Sequence, residues 1–291
     1  ILEAGLFHRF DATNIFEKNL ASVITAIGLD HTDWLPEKER TIDKIIYEKT
    51  SSLLNSKIIV SSQENDLILS KIKKSLINNR SKKIYFNDLY SYSLTENNFF
   101  YYEDEFGGLK LPIPTNLLGE FQLANVATAV ATLRNIEELK ISDKHIKEGI
   151  LKIPSIARLQ EIKSGKLKNI IKNNYLFIDG SHNPLGAKVL TDYLDTLHSN
   201  KHIVIGMMAN KDHEEYISFF KNKIQSITTV DIPNQPNAIN GEKLKNKITG
   251  FNNVHYKKTI FEALKSLKLK DKDIVLITGS LYLAGEVLNL N

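Results

Sequence analysis

Short apolar runs and amphipathic stretches alternate along the second half of the chain. The runs at 158–162, 175–178, 203–208, 226–230, 254–256 and 274–277 have the length of buried strands, and helix-spaced segments separate most of them. Such alternation predicts a mostly parallel, doubly wound sheet. The first half reads differently. Residues 1–5 look like the tail of a strand, and 20–29 like another that delivers Asp30, His31, Thr32, Asp33 and Trp34 at its end. Helical spacing runs from 37 to about 54 through Ile42, Ile45, Ile46 and Leu53, which sets Lys49 on a helix. A short strand at 57–60 and an amphipathic helix at 65–77 follow. From 82 to 112 the pattern turns to short aromatic strands at 84–86, 90–94, 98–102 and 109–111, with Gly107-Gly108 as a turn. Helices at 121–133 and 143–151 close this half. The change of pattern near Pro154 predicts two domains, 1–154 and 155–291.

The stretch that organises the pattern is 175–184, Y-L-F-I-D-G-S-H-N-P. It reads as strand, polar turn and helix, with Asn183 as N-cap and Pro184 at the first helical position. In an open α/β sheet such a turn lies at the carboxyl end of a strand, where ligands bind. Asp179, Ser181, His182 and Asn183 would then gather beside the free N–H groups of a helix start. A capped helix with incidental polar residues gives the same pattern. Gly279-Ser280 has the same position after the last strand: its hydroxyl and N–H groups suit a carboxylate, or simply cap a helix. Glu3 and His31, each at an expected strand end, form a carboxylate–imidazole pair suited to a divalent cation, or a solvated strand end and a turn cap. Asn125 is a polar helix position and Arg158 a strand-start cation.

Composition narrows the classes. At 291 residues, 42% hydrophobic and 25% charged, the chain has the profile of a soluble two-domain protein. No run approaches the ~18 apolar residues of a membrane span. With no cysteine it has no disulfide, thiolate metal site or cysteine nucleophile, which fits a cytoplasmic location. The net charge of +4 is spread along the chain, so no nucleic-acid footprint stands out, while phosphorylated small molecules are compatible. The 291 residues hold no G-x-x-x-x-G-K-[ST], no G-x-G-x-x-G after a strand, no G-x-S-x-G and no H-E-x-x-H. There is no initiator methionine and no signal-peptide pattern. The opening Ile1-Leu2-Glu3-Ala4-Gly5, read as a strand under way, predicts that sequence is missing upstream.

These pieces, in this order, resemble the bifunctional dihydrofolate synthase/folylpolyglutamate synthase family of the Mur ligase superfamily. Glu3-Ala4-Gly5 through Asp11-Ala12-Thr13-Asn14 is similar to the family's E-V-G-L-G-G-R-x-D-A-T-N, and Ile27 through Leu35 to its I-G-L-D-H-T-D-W-L. Glu48-Lys49 matches the E-K of E-K-A-G-I. Gly119 to Ala129 resembles the G-x-x-Q-x-x-N-A helix, Ala157-Arg158-Leu159-Gln160 the P-G-R-x-[EQ] strand, and Asp179 to Pro184 the D-G-A-H-N-P turn. Gly206 to Asp212 is similar to G-M-x-x-D-K-D, and Thr278 to Leu283 matches T-G-S-L-Y-L. The chain departs from the pattern at Phe7-His8-Arg9, where the family has G-G-R, and at Thr50-Ser51-Ser52, where it has A-G-I.

The resemblance implies an α/β architecture. The last part of a Mur-ligase-type P-loop ATPase domain, without its first strands and P-loop, would be followed by a Rossmann-like glutamate-ligase domain. It implies a ligase that joins L-glutamate to dihydropteroate or tetrahydrofolate through an acyl phosphate, with ATP and Mg²⁺ as cofactors, in folate biosynthesis. By the same carry-over Glu3 and His31 would hold Mg²⁺, and Lys49 would be the lysine that becomes carbamylated. Asn125, Arg158 and Asp179 would contact ATP across the domain interface. His182 and Ser280 would bind glutamate, and Phe10, Asp11 and Ala12 would border the pterin-benzoate site. The partners implied are these small molecules, with no nucleic acid and no membrane, and a monomer when complete. A degenerate, non-catalytic remnant of that enzyme and a Mur-type ligase of cell-wall precursors are the alternatives. T-D-W after G-L-D-H favours folate over the latter.

Overall fold

The computed structural model describes residues 1–30, 32–53, 56–95 and 99–291. His31, the expected helix end Leu54 and the expected strand start Asn98 lie outside them. The chain forms two compact units, Ile1–Thr115 with Glu120–Ile153, and Pro154–Asn291 with Asn116–Gly119.

The first unit opens with irregular backbone. The strand expected at residues 1–5 does not form: the backbone there is irregular, and at its end the N–H groups of Gly5 and Leu6 turn to the Asp11 carboxylate. Glu3 is therefore an exposed residue of a loop, not a strand end. Strand β1 (Asn19–Ile24), helix α1 (Ile42–Thr50), β2 (Ser56–Ser61), α2 (Asp66–Ser75) and β3 (Lys82–Tyr85) follow. β1 stops well short of Leu29. The Ile24 carbonyl accepts from Ser62, and the Ile27 N–H turns to Gln63 Oε1 at 2.6 Å, which takes the chain off the sheet. The helix expected from 37 begins only at Ile42, after a 3₁₀ turn at Glu37–Glu39. There the Thr41 side chain accepts from the Lys44 N–H and starts a new helix.

The three strands are parallel in the order β1-β2-β3, with Val23 opposite Val60 and Val60 opposite Ile84. Ile24, Ile45, Ile46, Ile59, Ile72 and Leu76 form a core under the two helices. An antiparallel sheet, β4 (Tyr90–Thr95), β5 (Phe99–Asp104) and β6 (Leu109–Pro112), buries Tyr90, Phe100, Tyr102 and Leu111. Helix α3 (Glu120–Arg134) packs against strands of both sheets, and the Tyr90 hydroxyl meets the Ser61 carbonyl and Thr128 Oγ1 between them. Helix α4 (Asp143–Ile150), capped by Ser142, ends the unit.

In the second unit, β7 (Gln160–Glu161), α5 (Lys166–Ile171), β8 (Tyr175–Ile178), α6 (Pro184–Asp195), β9 (Lys201–Ile205) and α7 (His213–Ser218) come first. They are followed by β10 (Ser226–Val230), α8 (Gly241–Lys247), β11 (Val254–Lys257), α9 (Ile260–Ser266), β12 (Ile274–Thr278) and α10 (Leu281–Leu290). The sheet order is β11-β10-β9-β12-β8-β7, parallel throughout except for β7, which runs antiparallel to β8. This is the doubly wound α/β arrangement expected. The chain steps from β8 to β9, builds outward to β11, and returns to lay β12 between the first two. The polar ends of β8, β12 and β9 therefore sit side by side, at the place where such sheets bind ligands. Leu176, Ile178, Val204, Val230, Val275 and Ile277 fill the core, with Ala263, Leu264, Leu283 and Val287 from the covering helices. The strand expected at 158–162 is only the pair Gln160–Glu161, so Arg158 lies in the preceding turn and not at a strand start.

Candidate functional site

β8 ends in the buried carboxyl of Asp179, which is 3% exposed. Its Oδ1 accepts the Ser181 N–H and its Oδ2 the Leu159 N–H, both at 2.7 Å. Burial pushes this carboxyl above the usual range, against the pull of those N–H donors and of Arg158. The Gly180 N–H donates to the Ala157 carbonyl at 2.9 Å, so the turn at 157–159 is pinned at two points to the end of β8. Ala157 and Leu159 pay for this geometry with φ of 51° and 50°, in the left-handed region. Arg158 is exposed between them, with its guanidinium over Gly180: a Cβ there would stand 3.2 Å from Arg158 Nη1 and 2.2 Å from Leu281 Cδ2. Gly180 thus allows two side chains to approach backbone closely.

His182 follows. Its Nδ1 lies 3.0 Å from the Gly180 carbonyl, which can only accept, so Nδ1 carries a proton and Nε2 is the ring nitrogen left to accept whenever the imidazole is uncharged. Asn183 caps α6 by accepting from the Gly186 N–H at 2.8 Å, with Pro184 in the first turn. On the adjacent strand Gly279 has φ +104°, and a Cβ there would stand 2.7 Å from the Gly206 carbonyl, so the ends of β12 and β9 meet through bare backbone. Ser280, 2% exposed, caps α10: its Oγ accepts the Tyr282 N–H at 3.1 Å, a bond that does not use its hydroxyl proton. The Gly279 N–H donates to the Ser181 carbonyl at 3.1 Å and ties the two turns together. Within this unit Arg158, Asp179, His182 and Ser280 are therefore brought to one end of one sheet. The arrangement offers helix-start N–H groups, a hydroxyl, an imidazole and a guanidinium, a set suited to an anionic amino acid or a phosphate.

The remaining predicted residues lie in the first unit. Arg9 and Glu48 form a bidentate pair, Nε to Oε2 and Nη2 to Oε1 at 2.8 Å each, and the Arg9 N–H donates to the Glu48 carbonyl at 3.0 Å. This pair docks the opening loop onto α1, with Lys44 also 3.2 Å from Glu48. Arg9 lies 4.1 Å from the ring centre of Phe10, which is 83% exposed, and Ala12 is exposed beside it. Asp11 is occupied inside the loop. It accepts from Gly5, Leu6 and Thr13 N–H groups and the Thr13 hydroxyl, and these donors, Thr13 foremost, pull its carboxyl down to about 2.

Lys49 donates to the Leu6 carbonyl at 3.3 Å, and burial lowers its amine pKa although Asp30 acts in the opposite sense. His8, at the departure from G-G-R, has a buried Nδ1 with no hydrogen-bond partner, and burial lowers its pKa as well. Asn125 is exposed on α3. His31 lies outside the described residues, and among those described no three His, Asp or Glu side chains converge to hold a metal ion. Sequence reasoning missed the Arg9–Glu48 clamp, for which the only signal was a lone charged pair far apart in the chain. It also missed Tyr216, a buried tyrosine beneath Ser181, which carries no local signal at all.

Comparison with known proteins places these features. Residues 161–281 match the Mur ligase, glutamate ligase domain. The dihydrofolate synthase/folylpolyglutamate synthases of Escherichia coli (strain K12) and of Buchnera aphidicola subsp. Schizaphis graminum are 28% and 29% identical to this chain across all of it. The chain covers 64% and 65% of those proteins, just under two thirds of their length. Among solved structures, Escherichia coli FolC in complex with DHPP and ADP gives a TM-score of 0.81 at 26% identity, covering 99% of this chain and 65% of that one. The Yersinia pestis bifunctional enzyme complexed with AMPPNP and Mn ion gives 0.83 at 24% identity, over 99% of this chain and 65% of that one, a likeness of fold.

Proposed function

Because this chain is homologous from end to end to the dihydrofolate synthase/folylpolyglutamate synthases and carries a Mur ligase glutamate ligase domain, we propose that it serves the ATP-dependent joining of L-glutamate to dihydropteroate or a reduced folate. The observation that carries this reading is the pairing of the His182 and Ser280 turns at neighbouring strand ends, tied by the Gly279–Ser181 backbone bond.

The chemistry sets the demands on such a site. A carboxylate is a poor acyl donor because its oxygen leaves badly. ATP transfers its γ-phosphoryl group to that oxygen, releasing ADP; the glutamate amine then attacks the acyl carbon and expels phosphate as the amide bond forms. The amine must be deprotonated when it attacks, and His182 Nε2 is the acceptor for that proton. Ser280 and the starts of α6 and α10 receive a glutamate carboxylate. Arg158 faces developing phosphate charge, with Asp179 holding its turn in place, and Asn125 keeps a nucleotide-contact role by the family resemblance alone. Phe10, Asp11 and Ala12 border the folate side, Asp11 by shaping the loop through its four donors.

Lys49 is the lysine for carbamylation, since only a neutral amine takes up CO₂ and burial favours the neutral form. A divalent cation would neutralise phosphate charge when bound. Glu3 and His31 would hold it by the family resemblance alone; among the described residues no three His, Asp or Glu side chains converge on such a site.

The second reading is a non-catalytic glutamate-binding module, favoured by the departures from the family pattern at Phe7-His8-Arg9 and Thr50-Ser51-Ser52. Labelled glutamate incorporation into tetrahydrofolate separates the two. The chain by itself is expected to give none above a no-enzyme control, because phosphate positioning dominates phosphoryl transfer. Fused behind the part of the Escherichia coli relative that it does not span, it is expected to give ATP-dependent product. A folded fusion without product would leave the binding module as the reading.

A further inference from the structure

Beneath the two turns lies a residue that neither motif contains. Tyr216, on α7, is 0% exposed, and its phenol oxygen meets Ser181 Oγ at 2.9 Å and Thr278 Oγ1 at 2.7 Å. Ser181 Oγ and Thr278 Oγ1 are themselves 3.4 Å apart, so three hydroxyls close a ring. Each hydroxyl has one proton to donate and lone pairs to accept, so three donors satisfy three contacts in a single circular sense. Burial pushes the phenol pKa up, which keeps its proton in place at neutral pH.

The ring has a definite position. Ser181 stands between Asp179 and His182 in the turn after β8. Thr278 is the last residue of β12, two before Ser280. Tyr216 comes from a third element, so its hydroxyl fastens both turns from below. Its aromatic body needs no hydroxyl to pack, since it already lies 5.6 Å from the Phe220 ring. What the oxygen adds is the spacing of two loops that otherwise share the Gly279–Ser181 backbone bond. Removing it would leave Ser181 and Thr278 to satisfy each other across the longest edge of the ring, or to lose a buried partner.

We propose that Tyr216 is a positioning residue of the glutamate site, its hydroxyl locking the Ser181 and Thr278 turns so that His182 and Ser280 face one ligand. This rests on the glutamate-binding reading above. The residue touches no substrate and acts through Ser181 and Thr278.

The test uses the full chain, with Tyr216→Phe, Ser181→Ala and the double variant, and two readouts. The first is affinity for L-glutamate. Each single variant breaks two of the ring's three contacts and leaves the other two hydroxyls to pair, and is expected to bind about 5-fold more weakly. The double variant should be no worse than either single, because each opens the same ring. The second readout is amide hydrogen exchange, expected to quicken at Gly279 and Ser181 in Tyr216→Phe beyond any change in global stability. Wild-type affinity in Tyr216→Phe, or multiplying losses in the double variant, would overturn the proposal. If the wild-type chain binds no L-glutamate, the glutamate reading fails by itself. Exchange at Gly279 then still decides the locking: an unchanged rate overturns it, and a faster one retains it.

Discussion

The N–H of Leu159 donates to Oδ2 of Asp179 at 2.7 Å across twenty positions of sequence. With the Ser181 N–H on the other oxygen, the buried carboxyl joins the turn before β7 to the turn after β8. One side chain therefore fixes where Arg158 and His182 start. Replacing it with asparagine keeps one acceptor and sets an NH₂ group against the other N–H. A loss of about 1–3 kcal/mol is expected, the cost of a buried unsatisfied pair.

The pH dependence of that loss has a definite sign. Burial raises the folded-state pKa of Asp179, so the folded protein holds this proton more tightly than the unfolded chain. The residue's contribution to stability is full below the unfolded carboxyl value of about 3.9. It is lost as pH rises through the higher folded value. Urea unfolding from pH 4 to 7 should show the penalty of Asp179→Asn shrinking with pH. A penalty that grows with pH would show that the N–H donors outweigh desolvation.

Gly279 gives a backbone prediction. Alanine there is strained at φ +104° and sets its Cβ 2.7 Å from the Gly206 carbonyl and 2.9 Å from Met207 Cγ. Gly279→Ala should cost about 2–4 kcal/mol, measured by chemical denaturation, whereas Gly149→Ala, with nothing within 4 Å, should be neutral or slightly stabilising. Equal effects at the two sites would contradict the close approach of β9 and β12.

How much of this was legible from sequence depended on whether the cause was local. The turn at 179–184 could be read because Asn183 and Pro184 are themselves the capping device, and Ser280 likewise. The strand order could be narrowed because alternation leaves few topologies. Arg158 was misplaced because Ala157 and Leu159 adopt positive φ without being glycine, a conformation imposed by Asp179 and Gly180 from elsewhere in the chain. At the end of the expected strand 1–5 the cause is again distant: the Asp11 carboxylate takes the Gly5 and Leu6 N–H groups and turns the chain there. Helix α5 was missed because six residues carrying two lysines give too short a period to register.

Lys49 makes a chemical prediction. Carbamylation consumes the neutral amine and CO₂ and releases a proton. An amine whose pKa burial has lowered should therefore react at lower pH than exposed lysines do. With ¹³C-bicarbonate, NMR should show a carbamate carbon that disappears in Lys49→Arg and persists to lower pH than any surface carbamate. Spectra identical in the two proteins would remove Lys49 from the role.

The two units should differ in resistance to protease. In the second, the central strands are paired on both sides and the core is closed by α9 and α10. In the first, β1 is the edge of a three-stranded sheet and exposes Leu20 at 38% and Val23 at 47%. Limited proteolysis should leave a C-terminal core that begins near residue 155. A protected N-terminal fragment in its place would contradict that division of stability.

The central claim is that the turns bearing His182 and Ser280 form one amino-acid carboxylate site. Any anion will collect at a helix start, so phosphate or sulfate binding would prove nothing. Stereochemistry is the sharper probe, and NMR titration of the full chain with L- and D-glutamate, beside His182→Ala and Ser280→Ala, measures it directly. The account predicts weak binding of the L enantiomer, about millimolar in Kd as expected for a few hydrogen bonds and helix-end dipoles. Shifts should centre on residues 179–184 and 278–282 and be lost in both variants. Equal shifts with D-glutamate, or shifts that survive both substitutions, would contradict it.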